Sequence, residues 1–241
     1  MSLEFSIQEL IDAGVHYGHI TRKWNPKMAA YIFGKRNGIH IINLSKTVPL
    51  LENALKAIKD VISNYGRVLF VGTKSQASEI VKEAAVKCGQ YYVNHRWLGG
   101  MLTNWKTINQ SIKKMKTLEE KIANPGGLTK KEIKLLENDY NKLCLALGGI
   151  RDMGGQPDLI IIIDTNREDI AVKEAVKLSI PIVAIVDSDS DPDNITFPIP
   201  GNDDATKAIE LYCNLFSNAV LEGLQQGMSK SGIDLGNSEE V

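Results

Sequence analysis

Apolar positions along this chain follow two rhythms. Short runs that are apolar on both faces recur between longer stretches with helical spacing. Ile39 to Leu44 reads as a strand and leads into a helix over about 46–63. Arg67 to Val71 reads as a second strand, followed by Gly72-Thr73 and a helix to about Cys88, and Gln90 to Val93 as a third. Leu159 to Asp164 is a fourth. Thr165 and Glu168 after it have the spacing of a capping box that opens the next helix. Ile180 to Val186 is a fifth, with a short addition at 195–199, and a last helix runs from Asp204 to about Gln226. Strands apolar on both faces that alternate with helices predict a doubly wound α/β core with a parallel sheet covered on both sides.

One stretch breaks this rhythm. From Trp105 to Leu147 there is no strand pattern, and apolar residues recur at heptad spacing: Trp105, Ile108, Ile112, Met115 and Ile122, then Ile133, Leu136, Tyr140, Leu143 and Leu147. Glu119 interrupts the first seam, Asn124 to Gly127 breaks the helix, and Thr129 with Glu132 supplies a capping box for the return. The pattern predicts an antiparallel helical hairpin with a coiled-coil seam, inserted into the α/β unit. The expected organisation is therefore an α/β globular domain of residues 1–104 and 148–228, an inserted hairpin of residues 105–147, and a flexible acidic tail of residues 229–241.

The chain has 241 residues and a net charge of −1. Residues 1–151 hold 23 basic against 12 acidic side chains, and residues 152–241 hold 5 against 17. Such a split points to a polyanionic partner for the basic part, the alternative being an unselected drift of surface charge. Met1 to Leu10 lacks a basic region ahead of an apolar run, so no signal peptide is expected. The apolar run from Leu159 to Ile163 is far too short to span a bilayer, and no membrane partner is expected. Three isolated cysteines without a CxxC pair argue for a reducing compartment, cytosol or an organelle matrix.

Candidate chemistry follows from residue type. Arg22, Lys23, Trp24, Asn25 and Lys27, then Lys35 and Arg36, form a basic tract interleaved with aromatics, on backbone that Pro26, Gly34 and Gly38 mark as irregular and exposed. Clustered Arg and Lys beside Trp suit phosphate contacts and base stacking. A Trp24 tucked into the core with its charges left in water is the competing reading. Asn94 to Trp105, with His95, Arg96, Trp97, Gly99-Gly100 and Lys106 just beyond, looks built to bind. Trp97 and Trp105 serve equally well there as anchors of the hairpin base.

Val71 to Ser75, including Lys74, follows a strand and opens a helix, the setting of a phosphate cradle, although the GxxxxGK[ST] spacing is absent. His16 and His19 are three apart with no third ligand near in sequence, which favours hydrogen-bonding histidines over a zinc pair. Asp187 to Asp193 imitates the start of an EF-hand loop and then fails, with Pro192 where glycine is needed. Asp187, with Asp203 and Asp204, is nevertheless the set of residues that could hold a divalent ion. Gly148 to Gly155 reads as hinge glycines where the hairpin rejoins the sheet. No base–nucleophile pair is evident. A nucleotide-binding α/β enzyme with its site above Gly72, Asp164 and Asp187 is the rival reading.

Ala13 to His19, Arg22 to Met28, Ile39 to Leu44, Phe70 to Lys74, Asn94 to Trp105, Gly148 to Gly155 and Pro200 to Asp204 together resemble the small-subunit ribosomal protein two family. The match runs over nearly the whole chain, and the long hairpin resembles the bacterial and organellar branch. The resemblance implies a flavodoxin-like three-layer α/β domain with a protruding helical hairpin. It implies binding of 16S-type rRNA between head and body of the small subunit, late entry in assembly, and help in seating small-subunit ribosomal protein one. It implies no catalytic activity and no cofactor. The short acidic tail, Ser229 to Val241, departs from the family pattern.

Overall fold

In a computed structural model, residues 5–230 are described. The acidic stretch expected as a flexible tail lies, from residue 231 on, outside them. Five parallel strands form the central sheet: β4 (Val68–Val71), β5 (Tyr91–Val93), β6 (Leu159–Ile163), β7 (Ile182–Val186) and β8 (Phe197–Pro200), in the order β5-β4-β6-β7-β8. β4, β6 and β7 are buried at every position, which is why they read as unbroken apolar runs. β8 carries Pro198 and Pro200, tolerable because it lies at a sheet edge.

Alternate residues of each strand feed two cores. On one face Val68, Phe70, Ile161 and Val183 pack with α1 (Ile7–Asp12), α2 (Leu44–Ser63), α3 (Ser78–Lys87) and α7 (Thr206–Lys230). α2 and α7 approach closely because Gly223 faces the Lys59 carbonyl, 2.9 Å from where a Cβ would stand. On the other face Leu69, Val71, Ile160 and Ile162 pack with α6 (Asp169–Lys177), with Trp97, Met101 and Leu102, and with Ile108, Ile112 and Met115 of α4 (Trp105–Ala123). The root of the hairpin thus stands where a covering helix is needed.

α4 packs against α5 (Lys130–Leu147), which begins at the predicted Thr129–Glu132 capping box. Glu119, the residue that interrupts the seam, is accounted for: it pairs with Arg151 at 2.7 Å and accepts from the Tyr140 hydroxyl at 3.3 Å. Leu118 takes the buried position beside it.

Three expectations need correction. Ile39 to Leu44 does not join the parallel sheet. β3 (Ile39–Ile42) is the middle strand of a separate antiparallel sheet, between β1 (Tyr17–Ile20) and β2 (Ile32–Arg36). The stretch from Gly34 to Gly38 is not irregular loop: Asn37 and Gly38, at φ of 51° and 77°, make the tight turn that an Asn-Gly pair favours between antiparallel strands. Thr165 and Glu168 form no capping box; α6 starts at Asp169 without a side-chain cap because Glu168 is drawn across to Thr73.

Candidate functional site

The motifs singled out in the sequence converge on the carboxyl edge of the parallel sheet. Ser188, just beyond β7, stitches the small sheet to it: its hydroxyl accepts from the His19 amide at 2.8 Å and its carbonyl from the Asn25 amide at 2.8 Å. Gly18 is needed for this approach, since a Cβ there would stand 2.8 Å from the Ser188 hydroxyl. Asn202 ties the other side, accepting from the amides of Asp204 and Ala205 and donating to the Gly14 carbonyl at 3.1 Å.

Within this frame the basic tract divides. Arg22, Lys23, Lys35 and Arg36 are exposed and form no ion pair with another described residue. Trp24 is 41% exposed and its ring lies 5.3 Å from that of His40, so it does not disappear into the core. Asn25 caps the short 3-10 turn at Pro26–Tyr31, accepting from the Lys27 amide at 3.0 Å. Lys27 is exposed but ion-paired with Asp191 at 2.7 Å and Asp193 at 2.5 Å, which raises its pKa through those hydrogen bonds.

Lys74 is engaged within the chain. Its side chain is largely buried, 3.1 Å from Asp164 and 2.9 Å from Asp203, and it also pairs with Asp204. Burial works to lower its pKa, yet the hydrogen bonds and charges of Asp204, Asp203 and Asp164 outweigh that and raise it. The lysine neutralises the chain's own carboxylates. The expected phosphate cradle is closed as well: the Thr73 amide and hydroxyl donate to Glu168 at 2.8 and 2.6 Å, and burial holds the Glu168 carboxyl above its usual range.

The segment from Asn94 to Trp105 splits the same way. Trp97 is buried, and its indole nitrogen donates to the Glu174 carboxylate at 3.1 Å. The amides of Gly100, Leu102 and Thr103 and the Thr103 hydroxyl donate to the same carboxylate. Burial pushes the Glu174 pKa up, but hydrogen bonds from Thr103, Trp97, Leu102 and Gly100 more than offset it, and the net shift is downward. Trp105 is half-buried against the second core. His95, Arg96 and Lys106 remain exposed. His95 and Arg96 line an open cleft of about 650 Å³ at the ends of β4, β5 and β6, joined there by Lys142 and Arg167. These two cations lie 46 or more positions from Arg96, so no local pattern announces them.

The aspartates are arranged differently from expectation. His19 Nδ1 stands 3.0 Å from Asp187 and 3.7 Å from Asp189, and these three residues bring their donor atoms within 4.8 Å of one another. A tetrahedral zinc site separates its donor atoms by about 3.3 Å. His19 Nδ1 is buried against the Asp187 carboxylate, without a hydrogen bond of good geometry to any described residue. Asp204 meets the opposite ring nitrogen at 3.2 Å, the place of a carboxylate that orients a ligating histidine. Asp203 is held by Lys74; burial and the charges of Asp164 and Asp187 push its pKa up to about 7 despite that lysine. His19, set aside from its sequence spacing, is thus the centre of the cluster. The Asp187 carboxylate beside Nδ1 chiefly, against burial, pushes its pKa up to about 9.

Comparison with known proteins gives a consistent result. The family model described as ribosomal protein S2 matches residues 10–223. The chain is similar to the small ribosomal subunit protein uS2 of Rhodospirillum centenum, 60% identical over 98% of this chain and 92% of that protein. It is 59% identical to those of Granulibacter bethesdensis, over 99% and 93% of the two chains, and Paramagnetospirillum magneticum, over 98% and 90%.

Proposed function

The chain belongs to the ribosomal protein S2 family and is a structural protein of the small ribosomal subunit, not an enzyme; from that premise we propose that it holds small-subunit rRNA through phosphate contacts. The residues assigned to this are Arg22, Lys23, Lys35 and Arg36 on the small sheet, and His95, Arg96 and Lys106 at the hairpin root. The observation that carries the reading is the set of four small-sheet cations, exposed beside Trp24 and answered by no carboxylate among the described residues. Cations left in this state are available to release condensed counterions from RNA.

The proposal extends to the organisation of the chain. Residues 1–104 and 148–228 act as the globular body and residues 105–147 as a protruding arm, with the acidic C-terminal third turned to solvent or to protein neighbours, among them small-subunit ribosomal protein one, which the chain helps to seat. The protein works in the cytoplasm as part of the ribosome. His19, Asp187 and Asp189 hold a divalent ion, for which zinc suits the mixed nitrogen and oxygen donors, with Asp204 orienting the histidine.

The test is filter binding of the full chain to small-subunit rRNA across a salt series. With six phosphates neutralised, log affinity falls with log salt at a slope of about −4 to −5. Reversing Arg22 and Lys23 to glutamate makes the slope shallower by about 2 while the fold persists. A salt-independent affinity overturns the reading.

A further inference from the structure

Residues 13–51 contain Arg22, Lys23, Lys27, Lys35, Arg36 and Lys46 and not a single aspartate or glutamate. The small antiparallel sheet is built from this stretch, and it exposes ring systems where a solvated sheet would carry polar side chains. Phe33, at the bulge of β2 opposite β3, is 77% exposed, and Trp24 and Tyr17 are exposed with it. An aromatic left out of the core forfeits the stabilisation that its burial would bring. Single exposed apolar residues are unremarkable, but several rings gathered among unpaired cations form a patch.

Two recesses flank Phe33. One, of about 280 Å³, is lined by Trp24, Phe33, Gly34, Lys35 and His40. The other, of about 660 Å³, is lined by His16, Tyr17, Phe33, Gly34 and Arg36 among others. Among the described residues, no carboxylate lines either one. Both ring nitrogens of His40 are buried without a hydrogen-bond partner, an uncommon state for a buried polar side chain. Gly34 forms part of both recesses, and a Cβ added there meets nothing within 4 Å, so the space above it is open.

We propose that the β2 edge of the small sheet is a stacking platform for unpaired RNA bases, with Phe33 and Trp24 taking base faces and with Lys35, Arg22 and Lys23, and Arg36 on the opposite side of the strand, holding the flanking phosphates. It rests on the RNA-binding reading above and adds the class of RNA: unstacked nucleotides of a loop, bulge or end. A duplex keeps its base faces stacked inside and offers phosphates alone, which cannot use exposed rings. Unpaired bases present a ring face to each aromatic side chain. An all-cationic rim also disfavours a basic or neutral peptide as the occupant.

The experiment uses the full chain and two labelled probes, a twelve-nucleotide oligoadenylate and a twelve-base-pair RNA duplex, with affinity read by fluorescence anisotropy. The expected result is that Phe33→Ala and Gly34→Val each weaken oligoadenylate binding about tenfold and leave duplex binding nearly unchanged, because one stacked base is lost. Gly34→Val is expected to keep the fold in this test: its backbone is not in the left-handed region, a β-branched residue suits a strand, and an added Cβ meets nothing within 4 Å among the described residues. Reversal of Arg22 and Lys23 weakens both probes. If Phe33→Ala and Gly34→Val bind both probes as the parent does, the platform is overturned while a salt-dependent affinity leaves the phosphate reading standing. If the two variants bind RNA normally yet fail to enter small subunits, the face docks a protein and the proposal is likewise overturned.

Discussion

The indole nitrogen of Trp97 and the carboxylate of Glu174 meet at 3.1 Å between the hairpin root and α6, inside the second core. Because Gly100, Leu102 and Thr103 donate to the same carboxylate, one side chain from α6 gathers the whole turn that launches α4. Glu174→Gln keeps the shape but turns an amide group toward several of these donors. Each buried donor left unpaired costs about 1–3 kcal/mol, so we expect a loss of about 3 kcal/mol in urea unfolding. Glu174→Ala removes the acceptor altogether and is expected to cost more. A Glu174→Gln variant as stable as the parent would show that the turn is held by its apolar contacts alone.

The same group sets a pH dependence. Its folded pKa lies below the ordinary glutamate value of about 4.3. A depressed carboxyl contributes stability that is present above the unfolded value and is lost as pH falls through the folded one. The stability gap between the parent and Glu174→Gln is therefore expected to be full at neutral pH and to narrow below pH of about 4. Denaturation midpoints of the two proteins in parallel pH series measure it, and a gap that stays constant into acid contradicts the assignment.

Three glycines near this turn separate by mechanism. Gly100 sits at φ of 84°, where any side chain is strained, so Gly100→Ala is expected to cost about 1–2 kcal/mol. Gly149, where the chain re-enters after α5, would place a Cβ 2.1 Å from the Tyr92 carbonyl oxygen, a clash with β5 backbone. Gly149→Ala is expected to cost about 3 kcal/mol or to prevent folding. Gly99 has open space and an ordinary backbone; Gly99→Ala is expected to stay within about 0.5 kcal/mol of the parent. Thermal melts of the three variants rank them, and equal melts for Gly99→Ala and Gly149→Ala contradict the clash.

The parallel strands were legible because burial on both faces leaves a run such as Leu159 to Ile163 without a polar residue. The small sheet was not, because its strands are half-buried and β1 pairs with β3 from more than 18 residues away; the Asn37-Gly38 turn was the signal that identifies it. Arg22, Lys23, Lys35 and Arg36 could be picked out because exposure of a long cation is the default and needs no partner to be known. Lys74 could not, because its carboxylates come from two separate loops, Asp164 after β6 and Asp203-Asp204 after β8. His19 failed for a similar reason: its partners at Asp187 and Asp189 lie about 170 residues away and meet it only through the Ser188 stitch.

The hairpin root should be more than a lever arm. Ile112 and Met115 of α4 are buried in the core that covers one face of the parallel sheet, not only against α5. Truncating Ile112 to alanine is therefore expected to destabilise the whole α/β unit by about 2–5 kcal/mol. Lys113→Ala on the exposed side is expected to change stability by less than about 0.5 kcal/mol. Hydrogen exchange of the β4 and β6 amides gives the readout: Ile112→Ala accelerates it if the hairpin base and the sheet open as one unit. Acceleration confined to α4 and α5 would mean that the arm opens alone.

The His19 cluster makes a prediction that activity of the ribosome need not be used to test. The positive charge among His19, Asp187 and Asp189 is the imidazolium that Asp187 favours, and a bound metal ion takes the place of its proton, whereas Lys74 neutralises Asp203 and Asp164. An ion that binds the folded chain alone stabilises it by about 2.7 kcal/mol when present at one hundred times its dissociation constant. Zinc is therefore expected to raise the melting temperature of the parent after chelator treatment and to register as one site by calorimetry. His19→Ala and Asp187→Asn should abolish both responses, while Asp204→Asn, which removes an orienting carboxylate rather than a ligand, should weaken affinity about 10- to 100-fold. A parent protein whose melting curve is indifferent to zinc, magnesium and manganese leaves the three residues as a pH-dependent ion pair and removes the metal from the proposal.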